Sequence, residues 1–187
     1  MAEIQFLPPL HLACTEDEFN RNHSLIEILF GIASATNGHI LVRIDLKNDT
    51  TCQLTQEDIS NMEGKCIHMK TWAEIYKGDK LEFHDTHIEF EAKGIKKTYY
   101  YSTPQGQFFN IGSVVEGVIS AGPEDKALVT YNPKLIGIIA KIFQHDSLNF
   151  SFSKGGQGAI VFPYEGSGMF AVLMPMDSNG VGRYYFR

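Results

Sequence analysis

Apolar and polar positions alternate in short runs along most of the chain, and only two stretches carry the three-to-four-residue spacing of a helix. Leu25-Ile26-Glu27-Ile28-Leu29-Phe30 and Ile40-Leu41-Val42-Arg43-Ile44 are β-prone runs separated by Thr36-Asn37-Gly38-His39. Asn-Gly is a strong tight-turn signal, so the region reads as a hairpin. A polar stretch from Lys47 to Gly64 follows. Between Met69 and Lys77, Met69, Trp72 and Tyr76 share one helical stripe while Lys70, Glu74 and Lys77 fall on another, which predicts a short amphipathic helix. Lys80 to Phe83, His87 to Glu91 and Lys96 to Tyr101 then read as an antiparallel meander divided by Asp85-Thr86 and Lys93-Gly94 turns, with the sheet continuing through Phe108.

The clearest helix start is Asn132-Pro133, a capping residue followed by proline at the first helical position. Leu135, Ile138, Ile139 and Ile142 form its core stripe, and Lys134, Gly137, Lys141 and His145 lie on another face that carries positive charge. Leu148 to Phe152, Gly158 to Phe162 and Phe170 to Met174 are three further strands, with Lys154-Gly155-Gly156-Gln157 and Glu165-Gly166-Ser167-Gly168 as the turns between them. A helix followed by three strands therefore occurs twice. The two copies share almost no residues, so the repeat is one of pattern. The expected class is α+β, built on antiparallel sheets.

Composition narrows what such a domain could do. The 187 residues, 43% of them hydrophobic, can bury a core and fit one large domain or two small ones. The formal charge is −6, from 16 basic and 22 acidic residues, with no run of five like charges, so any contact with nucleic acid must come from a local basic face. Cys14, Cys52 and Cys66 are odd in number and widely spaced, which fits reduced thiols better than a disulfide framework. The start Met1-Ala2-Glu3-Ile4-Gln5 lacks the basic-then-apolar order of a signal peptide, and no run approaches the ~18 apolar residues of a spanning helix. A cytoplasmic protein with no membrane partner is the expectation.

Catalytic patterns are weak. His84 and His87, three apart in extended chain, are expected on opposite faces, so no metal is implied. Lys154-Gly155-Gly156-Gln157-Gly158 lacks the Gly-Lys-Ser/Thr ending of a phosphate loop. Gly166-Ser167-Gly168 precedes a strand and not a helix, unlike a nucleophile elbow. Neither a catalytic residue nor a cofactor is expected.

Three segments resemble the bacterial sliding clamps, the β subunits of DNA polymerase III. Ala35-Thr36-Asn37-Gly38-His39-Ile40-Leu41 is similar to the clamps' Thr-Asp-Gly-His-Arg-Leu hairpin turn, with Asn37 and Ile40 in place of Asp and Arg. Gly106-Gln107-Phe108-Phe109-Asn110-Ile111-Gly112-Ser113-Val114 is similar to the Gly-x-Phe-Pro-Asp-Tyr…Val segment, without its Pro and Tyr. Asn132 through Met176 resembles the last clamp segment, an Asn-led helix and three strands ending in Val-Met-Pro-Met, here Val172-Leu173-Met174-Pro175-Met176. The resemblance implies a DNA-clamp-like fold of repeated helix-plus-three-strand halves, with short helices on one face of antiparallel sheets. It further implies an apolar pocket for a linear peptide of DNA polymerases and other clamp-binding proteins, made by Thr36, Gly38, His39, Leu41, Val114, Asn132, Leu135, Val172, Leu173, Met174, Pro175 and Met176. Flexible thioethers and an apolar groove suit a surface that accepts several peptide sequences.

The same resemblance implies contact with double-stranded DNA, without sequence preference, through Arg21, Lys70, Lys77, Lys134, Lys141 and His145. It divides the chain into a clamp-like domain at 1–118, whose first half is truncated and whose second half is 65–118, a terminal half-domain at 119–176, and a tail at 177–187. The triplet from Leu12 to Leu46 lacks its helix, and the first half of the terminal domain is missing between Val115 and Thr130. A homo-oligomer would be needed to close a ring. The expected function is thus a clamp-like processivity factor, the alternative being a clamp-fold adaptor that binds peptides or proteins without DNA. Tyr184-Tyr185-Phe186 in the tail would add a strand or cover a pocket.

Overall fold

The computed structural model describes residues 7–48, 52, 54–76, 78, 80–106, 108, 110–120, 129–153 and 158–176. Lys77, most of the stretch between Val115 and Thr130, the 154–157 turn and the 177–187 tail lie outside the described residues.

Two 3-10 turns, Leu10–Ala13 and Arg21–Ser24, lead into β1 (Leu25–Leu29), β2 (Ile32–Thr36) and β3 (Ile40–Asp45). Next come α1 (Gln56–Met62), β4 (Cys66–His68), α2 (Met69–Ile75), β5 (Lys80–Phe83), β6 (His87–Ala92) and β7 (Ile95–Tyr100). The remainder is α3 (Ile111–Ser120), α4 (Pro133–Phe143), β8 (Asn149–Phe152), β9 (Ala159–Phe162) and β10 (Met169–Leu173). Both helix-then-three-strand units are present, as α2 with β5 to β7 and α4 with β8 to β10.

A seven-stranded antiparallel sheet runs β4-β1-β2-β3-β10-β9-β8, and a three-stranded one runs β5-β6-β7. The hairpin read between Leu25 and Ile44 is two hairpins. Phe30 and Gly31 both take positive φ, 58° and 74°, and turn the chain into β2, which the sequence pattern did not reveal. The Glu63 carboxylate accepts the backbone N–H groups of Phe30 and Gly31, at 2.6 and 3.0 Å, and so holds that tip. The meander ends at Tyr100 and does not run on to Phe108; beyond it Ser102 makes only an isolated bridge to Cys66.

Strand alternation gives the large sheet two faces. Ile26, Ile28, Ile40, Val42 and Leu173 point into a core shared with Trp72 and Ile75 of α2, Ile139, Ile142 and Phe143 of α4, and Leu10 of the first 3-10 turn. The small sheet contributes Phe83, Ile88 and Phe90 to that core, with α1 packed on β5. The opposite face carries a second cluster of Leu25, Leu41, Cys66, Phe108, Ile111, Val118 and Val172 under α3. α2 and α4 thus share one face of the large sheet, and α3 lies on the other.

Two helices were not anticipated. α1 opens with a capping box, in which Thr55 Oγ1 accepts the Asp58 N–H at 3.1 Å and the Asp58 carboxylate accepts the Thr55 N–H at 2.9 Å. α3 is rich in glycine and β-branched residues, poor helix formers, and burial of Ile111 and Val118 against the sheet overrides that propensity.

Candidate functional site

A groove opens where β3 meets β10. The strands pair antiparallel with Leu41 opposite Val172 and Ile40 opposite Leu173, and the Met174 N–H continues the ladder by donating to His39 O at 3.0 Å. The hairpin turn before β3 is fixed by its own side chains. Thr36 Oγ1 accepts the Gly38 N–H at 3.1 Å and donates to Ile40 O at 2.7 Å, while Asn37 Oδ1 accepts the N–H groups of His39 and Ile40, both at 3.0 Å. Gly38 alone of these residues takes positive φ, +84°, the conformation glycine adopts without strain.

With the turn's polar groups satisfied internally, the surface left facing out is mostly apolar. Thr36, Gly38, His39, Ile40 and Leu41 line one side of a hollow of about 160 Å³, and Val114, Val172 and Met174 line the other. Leu41 and Val172 are buried in its floor, and His39 stands exposed at its rim. Gly158 keeps the backbone close here, since a Cβ on it would meet Leu173 O at 3.2 Å and Val118 Cγ2 at 3.3 Å. Val115, one residue further along α3, faces a second and larger hollow of about 420 Å³ with Ile160, Phe162 and Phe170. The apolar surface thus continues on both flanks of the helix.

The remaining residues expected at the pocket lie elsewhere. Leu173 is fully buried on the other face of the sheet, because alternation sends it there when Val172 and Met174 face the groove. Leu135 packs against that same core. Asn132 is the N-cap of α4, its side chain accepting the Lys134 N–H at 2.9 Å. Pro175 is half-buried beyond the end of β10, and exposed Met176 donates its N–H to Thr130 O at 2.8 Å. Ile40 borders the groove, but its side chain points with that of its partner Leu173 into the core on the other face.

Charge collects unevenly on the helical face. α2 and α4 both pack on the Leu10–Ala13 turn. Lys70 of α2 is ion-paired with Glu16 at 2.5 Å, and Glu74 binds Lys97 at 2.8 Å and accepts from the Tyr99 hydroxyl. The Lys70 contact holds the Glu16 carboxyl below its ordinary range, and that of Lys97 does the same for Glu74. Lys134 and Lys141 of α4 are exposed and make no ion pair among the described residues. His145 follows α4, with Nδ1 3.1 Å from Ser147 O and its ring against Tyr164. Arg21 is exposed at the start of its 3-10 turn.

His84 and His87 depart from expectation. They sit on either side of the Asp85-Thr86 turn and not along one strand, so the alternation rule does not separate them. Their rings stack with centroids 4.7 Å apart.

A seven-stranded antiparallel sheet and a three-stranded one, built in part from two helix-plus-three-strand units, with α2 and α4 on one face of the large sheet and a groove on the other, define a DNA-clamp-like α+β fold. No protein-family model matches the sequence, and no curated protein matches it. Solved structures of bacterial sliding clamps do match. The DNA polymerase III subunit beta of Pseudomonas aeruginosa aligns with a TM-score of 0.57 and 14% identity over 90% of this chain and 63% of its own. The beta sliding clamp of C. crescentus gives 0.58 and 14% over 95% and 65%, and DNA polymerase III subunit beta of Borrelia burgdorferi gives 0.60 and 10% over 90% and 60%. The chain is clamp-like in fold, divergent in sequence, and spans less than two thirds of the length of each of these.

Proposed function

We propose that this chain is a clamp-like processivity factor whose β3–β10 groove holds a linear apolar peptide of a DNA polymerase or another partner. The observation that carries this reading is the groove itself. Leu41, Val114, Val172 and Met174 come from three separate elements and converge on one hollow beside a turn that has already satisfied its own polar groups. An apolar side chain entering there displaces water without stranding a hydrogen-bonding group. Nothing in this role requires catalysis.

DNA would be met on the opposite side. Lys134 and Lys141 on α4 suit sequence-independent phosphate contact, and several copies of the chain would be needed to surround a duplex. In this reading residues 1–118 act as one clamp-like domain and 119–176 as a further half. The Lys70–Glu16 pair favours a second reading, a peptide-binding adaptor without DNA, because it withdraws one cation from the helical face.

The groove is tested with griselimycin, which the clamps of Pseudomonas aeruginosa and Bartonella birtlesii bind, and with a fluorescent polymerase tail peptide. Both are expected to bind the native chain, and Met174→Lys is expected to weaken them by about tenfold or more, since a charge would lie in an apolar site. Affinity unchanged by Met174→Lys would remove the groove from the reading. Light scattering separates the two forms. A concentration-stable oligomer, retained on circular but not linear duplex, supports the ring, and a monomer leaves the adaptor.

A further inference from the structure

We propose that His84, His87 and Glu89 form a zinc site at the tip of the β5–β6 hairpin. The placement begins with the backbone. The His84 N–H donates to His87 O at 2.9 Å, so the two histidines close a two-residue Asp85-Thr86 loop and stand directly across from each other. Cross-strand partners project to the same face, which is why the imidazoles stack with an interplanar angle of 23°. Two residues further along β6, on the same face, Glu89 adds a carboxylate. One ligand atom from each of the three lies within 4.8 Å of the others.

The local chemistry is that of a site in want of a cation. Glu82 and Glu89 are register partners, and like charges directly opposite are unfavourable. Lys80 pairs closely with one of them, its ammonium lying 2.6 Å from Glu82 Oε1, and reaches Glu89 only at longer range. Glu89 has its Oε1 3.5 Å from His87 Nε2. His84 Nε2 is shielded from solvent and makes no hydrogen bond among the described residues, with Glu82 Oε2 at 3.9 Å. On His87, Nδ1 lies 3.0 Å from Thr86 Oγ1, the kind of outer contact that orients a metal-binding imidazole.

Two imidazole nitrogens and one carboxylate oxygen are the donors of an open zinc site, with the fourth tetrahedral position left for solvent or a group from another molecule. Calcium and magnesium take oxygen ligands and are disfavoured by this set. Ligands about 2.0–2.1 Å from zinc stand roughly 3.3 Å apart. Partly exposed side chains at a hairpin tip can close the present spacing by small rotations, with no change in the buried Phe83, Ile88 and Phe90 beneath them.

The test is calorimetric titration of the tag-free full chain with zinc chloride near neutral pH, paired with the visible spectrum of the cobalt form. One saturable ion per chain and the bands of tetrahedral cobalt are expected. His84→Ala, His87→Ala and Glu89→Gln are each expected to weaken binding by about tenfold or more, while Asp85→Asn and His145→Ala leave it unchanged. Circular dichroism reports whether each variant folds, and His84→Asn replaces His84→Ala if that variant does not. Absence of saturable binding, or zinc affinity indifferent to both His84 and His87, would overturn the site.

Discussion

The two faces of the seven-stranded sheet are covered very differently. On one, α2, α4 and the Leu10–Ala13 turn close over a continuous core, and Trp72, Ile75 and Ile139 are fully buried. On the other, α3 is the one helix among the described residues over a small cluster and leaves apolar hollows on both sides. The thick face carries the main core, and the thin face, with its cover incomplete among the described residues, leaves open the hollows that the proposed peptide would enter. A second helix laid over Val172 and Met174 would strengthen the core and abolish the groove.

The largest expected effect lies on the thick face. Trp72 fills the core and donates its indole N–H to Pro8 O at 2.7 Å, so Trp72→Ala is expected to cost about 3–5 kcal/mol in chemical denaturation. Val118→Ala beneath α3 is expected to cost less, about 1–2 kcal/mol for the lost methyl groups. Thiol labelling sharpens the contrast. Burial pushes both Cys14, on the thick side, and Cys66, on the thin side, up to about 12, and both should resist alkylation in the native chain. Val118→Ala should release Cys66 while leaving Cys14 protected; equal release would show that the two faces open as one unit.

Next in size is the turn that shapes the groove. Thr36→Val keeps the volume but removes the acceptor of the Gly38 N–H and leaves the Ile40 carbonyl only the Asn37 N–H at 3.3 Å, at a cost of about 1–3 kcal/mol and with a matching loss of peptide affinity.

The smallest effect is electrostatic, and its sign differs between the faces. Contacts with Lys97 and Tyr99 lower the Glu74 carboxyl on the helical face, so its contribution is present above the unfolded value near 4.3 and lost as the pH falls through the folded value. Burial raises Glu27 on the groove face, against a weaker opposing pull from Arg43, so its folded form is penalised as the pH climbs past that same unfolded value. Near neutral pH, Glu74→Gln should destabilise and Glu27→Gln should stabilise, each by less than about 1 kcal/mol after solvent screening. Thermal melts across pH 3 to 7 check this, and both differences should fade in acid.

The parts legible in the sequence are those where periodicity and end signals agree. α4 shows Asn132-Pro133 at its start and an unbroken apolar stripe, β5 and β6 show alternation, and plain turns divide β5, β6 and β7. β2 escaped because Ile32-Ala33-Ser34-Ala35-Thr36 is covered on both faces and does not alternate, and because its leading turn is Phe30-Gly31, secured by the distant Glu63. The Thr55-x-x-Asp58 box announced α1 within a stretch read only as polar. For α3, Ile111, Val114, Val115 and Val118 follow helical spacing behind Asn110, whose Oδ1 accepts the Ser113 N–H at 3.1 Å, but Gly112 and Gly117 masked the pattern.

At the groove, the turn could be read residue by residue because its own side chains build it. The run Val172-Leu173-Met174 could not, because three consecutive apolar residues do not disclose which face each one takes. Residue counting alone puts His84 and His87 on opposite faces, and the Asp85-Thr86 turn between them brings their rings together instead.

Pairing of β3 with β10 also sets the order in which the site comes into being. The groove's two walls are separated by roughly 130 residues of chain, which at about 5–20 residues per second take on the order of 10 s to synthesise. Until β10 emerges, β3 is an open edge and the groove has one wall. The groove therefore exists only once β10 has been made, and a copy ended before β10 would lack one of its two walls.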